Sequence, residues 1–265
     1  MIIDFHTHAF ADPIAPKAMA SLCTASHGLY TPCTDGTVKG LLNNMAQWGI
    51  DHSVIQPVAT KPSQIFTINQ WAKGLCGERL TSFGAFHPHT DDYKRDIDLV
   101  VSLGLKGIKL HPEYQQFQVD DPAMLKMYDY ALSKGLILLF HAGNDPAFQP
   151  PMHSNPRRFA DVAREMRGGV IVAAHLGGNG QWDEVERELA GTDVYMDTSM
   201  GFFEYGAEQF LRIVKKHGVD KILFGSDAPW SRAKEEIEAV RKLPLTDAEK
   251  DAILGGNAMR LLGMK

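Results

Sequence analysis

One unit recurs along this chain and restricts its fold more than anything else. A short apolar run leads into a polar or Gly/Pro turn, and an amphipathic helix follows. The opening run is Ile2-Ile3-Asp4-Phe5, and later runs cover residues 53–58, 80–86, 105–110, 136–140, 170–174, 194–196 and 222–224. Helical spacing fills the intervals at 65–75, 93–103, 122–133, 157–166, 182–189, 204–217 and 231–242. Strands that alternate with helices argue for a parallel sheet. Their near-continuous apolar character argues that both faces of that sheet are buried. Eight such units in 265 residues match the size of a (β/α)8 TIM barrel. A doubly wound open sheet would carry a Gly-rich phosphate turn after its first strand, and His6-Thr7-His8 stands there instead. The expected fold is therefore α/β, a (β/α)8 TIM barrel forming a single domain over residues 1–265.

Three further stretches complete the layout. Residues 9–35, rich in Pro, Gly, Ser and Thr, read as a long irregular segment and hence as a lid over the adjacent site. Residues 36–48 carry helical spacing and end at Gly49, a natural C′ residue. Residues 246–262 read as an additional C-terminal helical segment, opened by Thr246 with Glu249 three residues on.

The chemistry lies where the apolar runs end. His6 and His8 are spaced i, i+2, so on a strand both rings project to one side. The fourth run ends in Lys109 and His111, which share strand parity. The fifth ends in His141, the sixth in His175, and the eighth in Asp227. The carboxyl ends of barrel strands converge on one mouth, where such barrels place their chemistry. Histidine nitrogens and a carboxylate oxygen are ligands for zinc and similar divalent cations. A bound cation lowers the pKa of its water toward about 7, and Asp227 is placed to touch the cation and take that water's proton.

His6-Thr7-His8 with His141, His175 and Asp227 resembles the metal-dependent amidohydrolase superfamily, and most closely its amidohydrolase-2 branch of hydrolases and decarboxylases. The likeness runs the whole length, including the closing Asn257-Ala258-Met259-Arg260-Leu261-Leu262-Gly263. The resemblance implies that His6, His8, His141 and Asp227 hold a principal divalent cation, zinc foremost. It implies that Asp227 and His175 are catalytic, with His175 either a ligand of a second metal or an electrophile and proton shuttle. Lys109 either becomes carboxylated and bridges two metals or stays an ammonium that pairs with a substrate carboxylate. The single-metal, unmodified form is the favoured one. Lys109, His111, Glu113 and Trp230 are the expected substrate contacts, with His87, His89, Tyr114, Asn144 and Asp145 as further pocket residues. His52 lies at the opposite, structural end, and His27, His153 and His217 read as solvated.

The implied reaction is hydrolysis of an amide, ester or lactone bond of a small molecule. The alternative is non-oxidative decarboxylation of a small aromatic or unsaturated acid, and a third reading is a metal-binding barrel without turnover. Deoxyribonuclease-like barrel hydrolases use a glutamate where this chain has Lys109. Polymerase-and-histidinol-phosphatase-like phosphoesterases need further His and acidic residues soon after the first pair, which residues 9–20 lack.

A net charge of -5 and a pI near 6.1 give no footprint for nucleic acid. No run of 18 apolar residues is present to span a membrane. Three cysteines without a C-x-x-C spacing read as reduced thiols of a cytoplasmic protein, and the N-terminus lacks the basic region of a signal peptide. The resemblance suggests a homodimer.

Overall fold

The apolar runs become eight parallel strands in a computed structural model, which describes residues 1–264, the side chain of Phe203 excepted. They are β1 (Ile3–Thr7), β2 (His52–Ile55), β3 in two pieces (Leu80–Ser82 and Gly84–Ala85), β4 (Gly107–Leu110), β5 (Ile137–Phe140), β6 (Ile171–Ala173), β7 (Tyr195–Asp197) and β8 (Ile222–Leu223). Each pairs with the next in parallel, for example Ile3 with His52, Ser53 with Leu80 and Met196 with Ile222. The break in β3 falls at Phe83, whose N–H still donates to Ile55 O at 2.9 Å. The ring closes between β8 and β1. Phe5 N–H donates to Phe224 O at 2.8 Å, Asp227 N–H donates to His6 O at 2.7 Å, and Thr7 bridges Ala228. The fold is a TIM barrel.

Strand parity sorts the core into two layers. Phe5, Val54, Phe83, Leu139, Val172 and Leu223 come from six strands and pack together, which only the barrel interior allows. Alternate residues such as Ile108, Leu138, Phe140, Ile171 and Met196 join the helices in the outer layer. Lys109 and His111 follow the inward parity of Gly107, and His141 follows that of Ile137 and Leu139. Three residues, His6, His8 and His175, depart from this rule. The β1–β2 register shifts between Asp4 and Thr7, and beyond this irregularity His6 and His8 both line the interior mouth. His175 has the parity of outward-facing Ile171 and Ala173, yet it too lines the mouth. Its φ of 57° and that of Leu176, 52°, turn the chain there.

The C-terminal segment plugs the barrel floor. Thr246 and Glu249 form the expected capping box, and Ala258 and Leu262 pack against Ile3 and Phe5. Residues 9–35 depart from expectation, because an α-helix, α1 (Ala15–Ala25), occupies their middle. They do lie over the site, since Ile14, Ala18, Leu22 and Tyr30 line its cavity. Next come α2 (Val38–Trp48), whose N-cap Thr37 accepts from Gly40 N–H and whose C-terminus turns at Gly49, and α3 (Ile65–Leu75). Among the described residues no helix is long and apolar enough to cross a membrane.

Candidate active site

A cavity of about 500 Å³ opens at the carboxyl ends of the strands. Ten of the residues that line it are His6, His8, Tyr30, Lys109, His111, His141, Asp145, His175, Asp227 and Trp230. The strand-end histidines, Lys109 and Asp227 therefore come together as the sequence implied.

Within the cavity His6, His8 and Asp227 form one compact group, their ligand-type atoms all within 4.8 Å of one another. Asp227 Oδ1 lies 3.0 Å from His8 Nε2 and 3.4 Å from His6 Nε2. It is buried and has no hydrogen bond to either. Two ring nitrogens and an unsatisfied carboxylate oxygen facing one point suit a divalent cation. Lys109, buried at 1% exposure, brings its ammonium to 3.0 Å from His6 Nε2, so a positive group already faces that lone pair.

His6 is held from behind. Its Nδ1–H donates to Asp197 Oδ2 at 2.9 Å, which fixes the tautomer whose Nε2 lone pair faces the cavity. Asp197 Oδ1 in turn accepts from the backbone N–H of His175 at 3.0 Å and from Ser199 Oγ at 2.5 Å. The Ser199 hydroxyl lies 2.9 Å from His175 Nδ1. Neither Asp197 nor Ser199 is among the strand-end residues singled out in the sequence. Asp227 and His175 both hold φ in the left-handed region, 62° and 57°, a costly conformation for a side-chain-bearing residue. Gly225 is needed at its position, because a Cβ there would lie 2.8 Å from that of His6.

Burial sets the electrostatics. It pushes His6 down to about 4, with the Lys109 charge adding to the effect, so His6 is neutral at pH 7. Burial likewise lowers Lys109 to about 8 and holds His111 and His141 well below the usual histidine range. Burial opposes ionisation of Asp197, but the hydrogen bonds from His6 Nδ1–H and the Ser199 hydroxyl help to hold it below the usual carboxylate range.

Other expected residues fall differently. His141, implied as a fourth ligand, stands outside the His6–His8–Asp227 group. Its ring stacks on His111 with centroids 4.2 Å apart, and its Nδ1 lies 3.1 Å from His175 Nε2. It forms a second compact group with His111 and Asp145. Glu113, an expected substrate contact, is buried away from the cavity. Its carboxylate accepts from the backbone N–H of His153 at 2.8 Å and pairs with the ring of His153 and the hydroxyl of Ser154. His153 is consequently paired and only partly solvated. His217, expected in solvent, is buried and donates from Nε2 to Val194 O at 2.9 Å. His52 is structural as expected, bonded to Glu78 O and Thr81 Oγ1. Trp230 and Tyr114 line the cavity.

The amidohydrolase family model matches residues 3–264. The chain belongs to the amidohydrolase family. This amidohydrolase shares its fold with an uncharacterized TIM-barrel protein from Bordetella bronchiseptica (19% identity, 99% of this chain and 98% of that one, TM-score 0.77). It also resembles 5-carboxyvanillate decarboxylase from Sphingomonas paucimobilis (15%, 100% and 99%, 0.72). A third similar structure is a probable 2-pyrone-4,6-dicarboxylic acid hydrolase from Acinetobacter baumannii (18%, 99% and 99%, 0.66). A search of curated proteins found no match.

Proposed function

We propose that this amidohydrolase is a single-metal hydrolase acting on an amide, ester or lactone bond of a small molecule, with residues 1–265 as its one domain. His6, His8 and Asp227 would hold the cation, zinc foremost, with His141 as the fourth donor this reading assigns. A divalent cation bound there supplies Lewis acidity, polarising a carbonyl and acidifying water.

The observation that carries the choice is the placement of Asp227 beside His6 and His8. Its buried Oδ1, 3.0 Å from His8 Nε2 and 3.4 Å from His6 Nε2, has no hydrogen-bond partner, so this carboxylate has an oxygen free to take a proton from attacking water. It then returns that proton to the leaving group. Protonation of a carbanion after loss of CO2 asks the same group to start with a proton. His175, oriented by the Ser199 hydroxyl at 2.9 Å, faces the same cavity as an electrophile and proton carrier. Lys109 stays an ammonium in this reading. Asp197 keeps His6 in its binding tautomer.

Decarboxylation is the second reading, and buried Lys109 is the observation in its favour. An ammonium in a largely apolar cavity is a partner for a substrate carboxylate. The decarboxylase among the similar structures adds support at the level of fold only. A panel of small amides, esters, lactones and aromatic acids, assayed in parallel for hydrolysis and CO2 release, separates the two. Hydrolytic turnover lost in Asp227→Asn is expected, and CO2 release without hydrolysis would reverse the assignment.

A further inference from the structure

The cavity is chemically two-sided. Polar and titratable groups cluster at the strand ends, whereas Ile14, Leu22, Val58, Ile68 and Trp71 supply apolar wall from the α1 and α3 region. Lys109 is the only cationic residue other than histidine in the described lining, and no arginine is present there. Asp145 adds a negative charge on the strand-end side, beside His111 and His141. Ile14 is 57% exposed although it borders the cavity, leaving apolar surface that a bound molecule would cover.

We infer that the substrate joins one polar head, held at the histidines and Asp227, to an uncharged apolar body lying along α1 and α3. This rests on the metal-site reading above. A cavity of about 500 Å³ has room for a drug-sized molecule, well beyond a two-carbon acyl group. Lys109 lies at the head, 3.0 Å from His6, so it neutralises at most one carboxylate near the reacting bond. A second carboxylate at the far end of the body would lie along a wall that offers no lysine or arginine to pair with it, which disfavours it. A dicarboxylic acid of the kind named for the Acinetobacter structure is thus a poor fit. Ile14, Ala18 and Trp71 set specificity by the length and bulk of the apolar body.

Calorimetric titration of the zinc-loaded full chain with n-alkyl hydroxamic acids, from acetohydroxamic to octanohydroxamic acid, reads this directly. Suberic acid monohydroxamate serves as the charged-tail control. Kd should fall with length, by up to about fourfold per added methylene where burial is complete, and the charged tail should forfeit at least tenfold of the gain. In Ala18→Trp, which fills the apolar side, and in Trp71→Ala, which removes its largest wall, the acetyl-to-octanoyl Kd ratio should shrink at least tenfold. A Kd that is flat across the series while acetohydroxamic acid still binds overturns the inference and leaves the metal site standing. Equal affinity for the charged tail overturns it as well. Failure of acetohydroxamic acid and the whole series to bind overturns the metal-site reading and this inference together.

Discussion

Asp197 Oδ2 accepts the Nδ1 hydrogen of His6 at 2.9 Å, tying the end of β7 to the end of β1 across 191 residues of sequence. The same carboxylate receives the His175 backbone N–H and the Ser199 hydroxyl. One buried anion therefore orients His6 and anchors the turn that carries His175.

Replacing it with its amide isolates that role. Asp197→Asn should weaken zinc binding about 10- to 100-fold, the usual effect of losing a carboxylate behind a ligating histidine. Competition with a chromophoric chelator measures it, and circular dichroism reports whether the barrel is intact. An unchanged zinc Kd would mean that His6 does not depend on Asp197.

Lys109 separates one metal from two. If it remains an ammonium, Lys109→Gln should keep one zinc per chain while hydrolytic kcat falls, since the lysine is then no ligand. Loss of metal in Lys109→Gln, restored by millimolar short-chain carboxylic acids, would instead mark a carboxylated bridging lysine.

Much of this arrangement is legible in the sequence, because periodicity and strand ends are local signals. The apolar runs gave all eight strands, and the residues that end them gave His111, His141, His175 and Asp227. Asp197 follows the run 194–196 just as Asp227 follows 222–224, so the same rule reaches it. Its partner His6, however, is set by barrel closure, which no local pattern encodes. His175 sits at outward parity and enters the site only through the positive φ at His175 and Leu176. His217 falls seven residues after Phe210 and four after Ile213, on the buried stripe of its helix, a placement that periodicity does carry. Glu113 stands two residues after His111, yet it is drawn off by His153 and Ser154 from a distant loop.

Glu236 makes stability depend on pH. It is buried on the helix Ala233–Lys242, with Oε1 accepting from Ser231 Oγ at 2.9 Å and Oε2 unpartnered. Burial raises its pKa from 4.5 to about 8. Between those values the folded state holds a proton that the unfolded chain has released, so stability is greatest below about pH 4.5 and declines as pH rises toward 8. Asp4, raised by burial to about 7, adds a slope of the same sign. Glu236→Gln should raise the melting temperature of the metal-free protein at pH 8 by roughly 2–4 °C, for about 1 kcal/mol, and leave it nearly unchanged near pH 4.5. A melting temperature that responds equally at both pH values would disprove the protonated state.

Gly225 tests the packing behind His6. A methyl group there would meet the His6 Cβ at 2.8 Å, so Gly225→Ala should cost about 1–3 kcal/mol by overpacking and weaken zinc binding as His6 shifts. Thermal melts and zinc titration read both effects. Wild-type zinc affinity in this variant would show that the ring position is not limiting.

The most direct test of the whole account is the zinc retained per chain by wild type and by Asp227→Ala after loading and gel filtration, quantified by inductively coupled plasma mass spectrometry. The cluster of His6, His8 and Asp227 predicts one ion per wild-type chain and close to none in the variant. Equal zinc in the two proteins, or none in either, would contradict it.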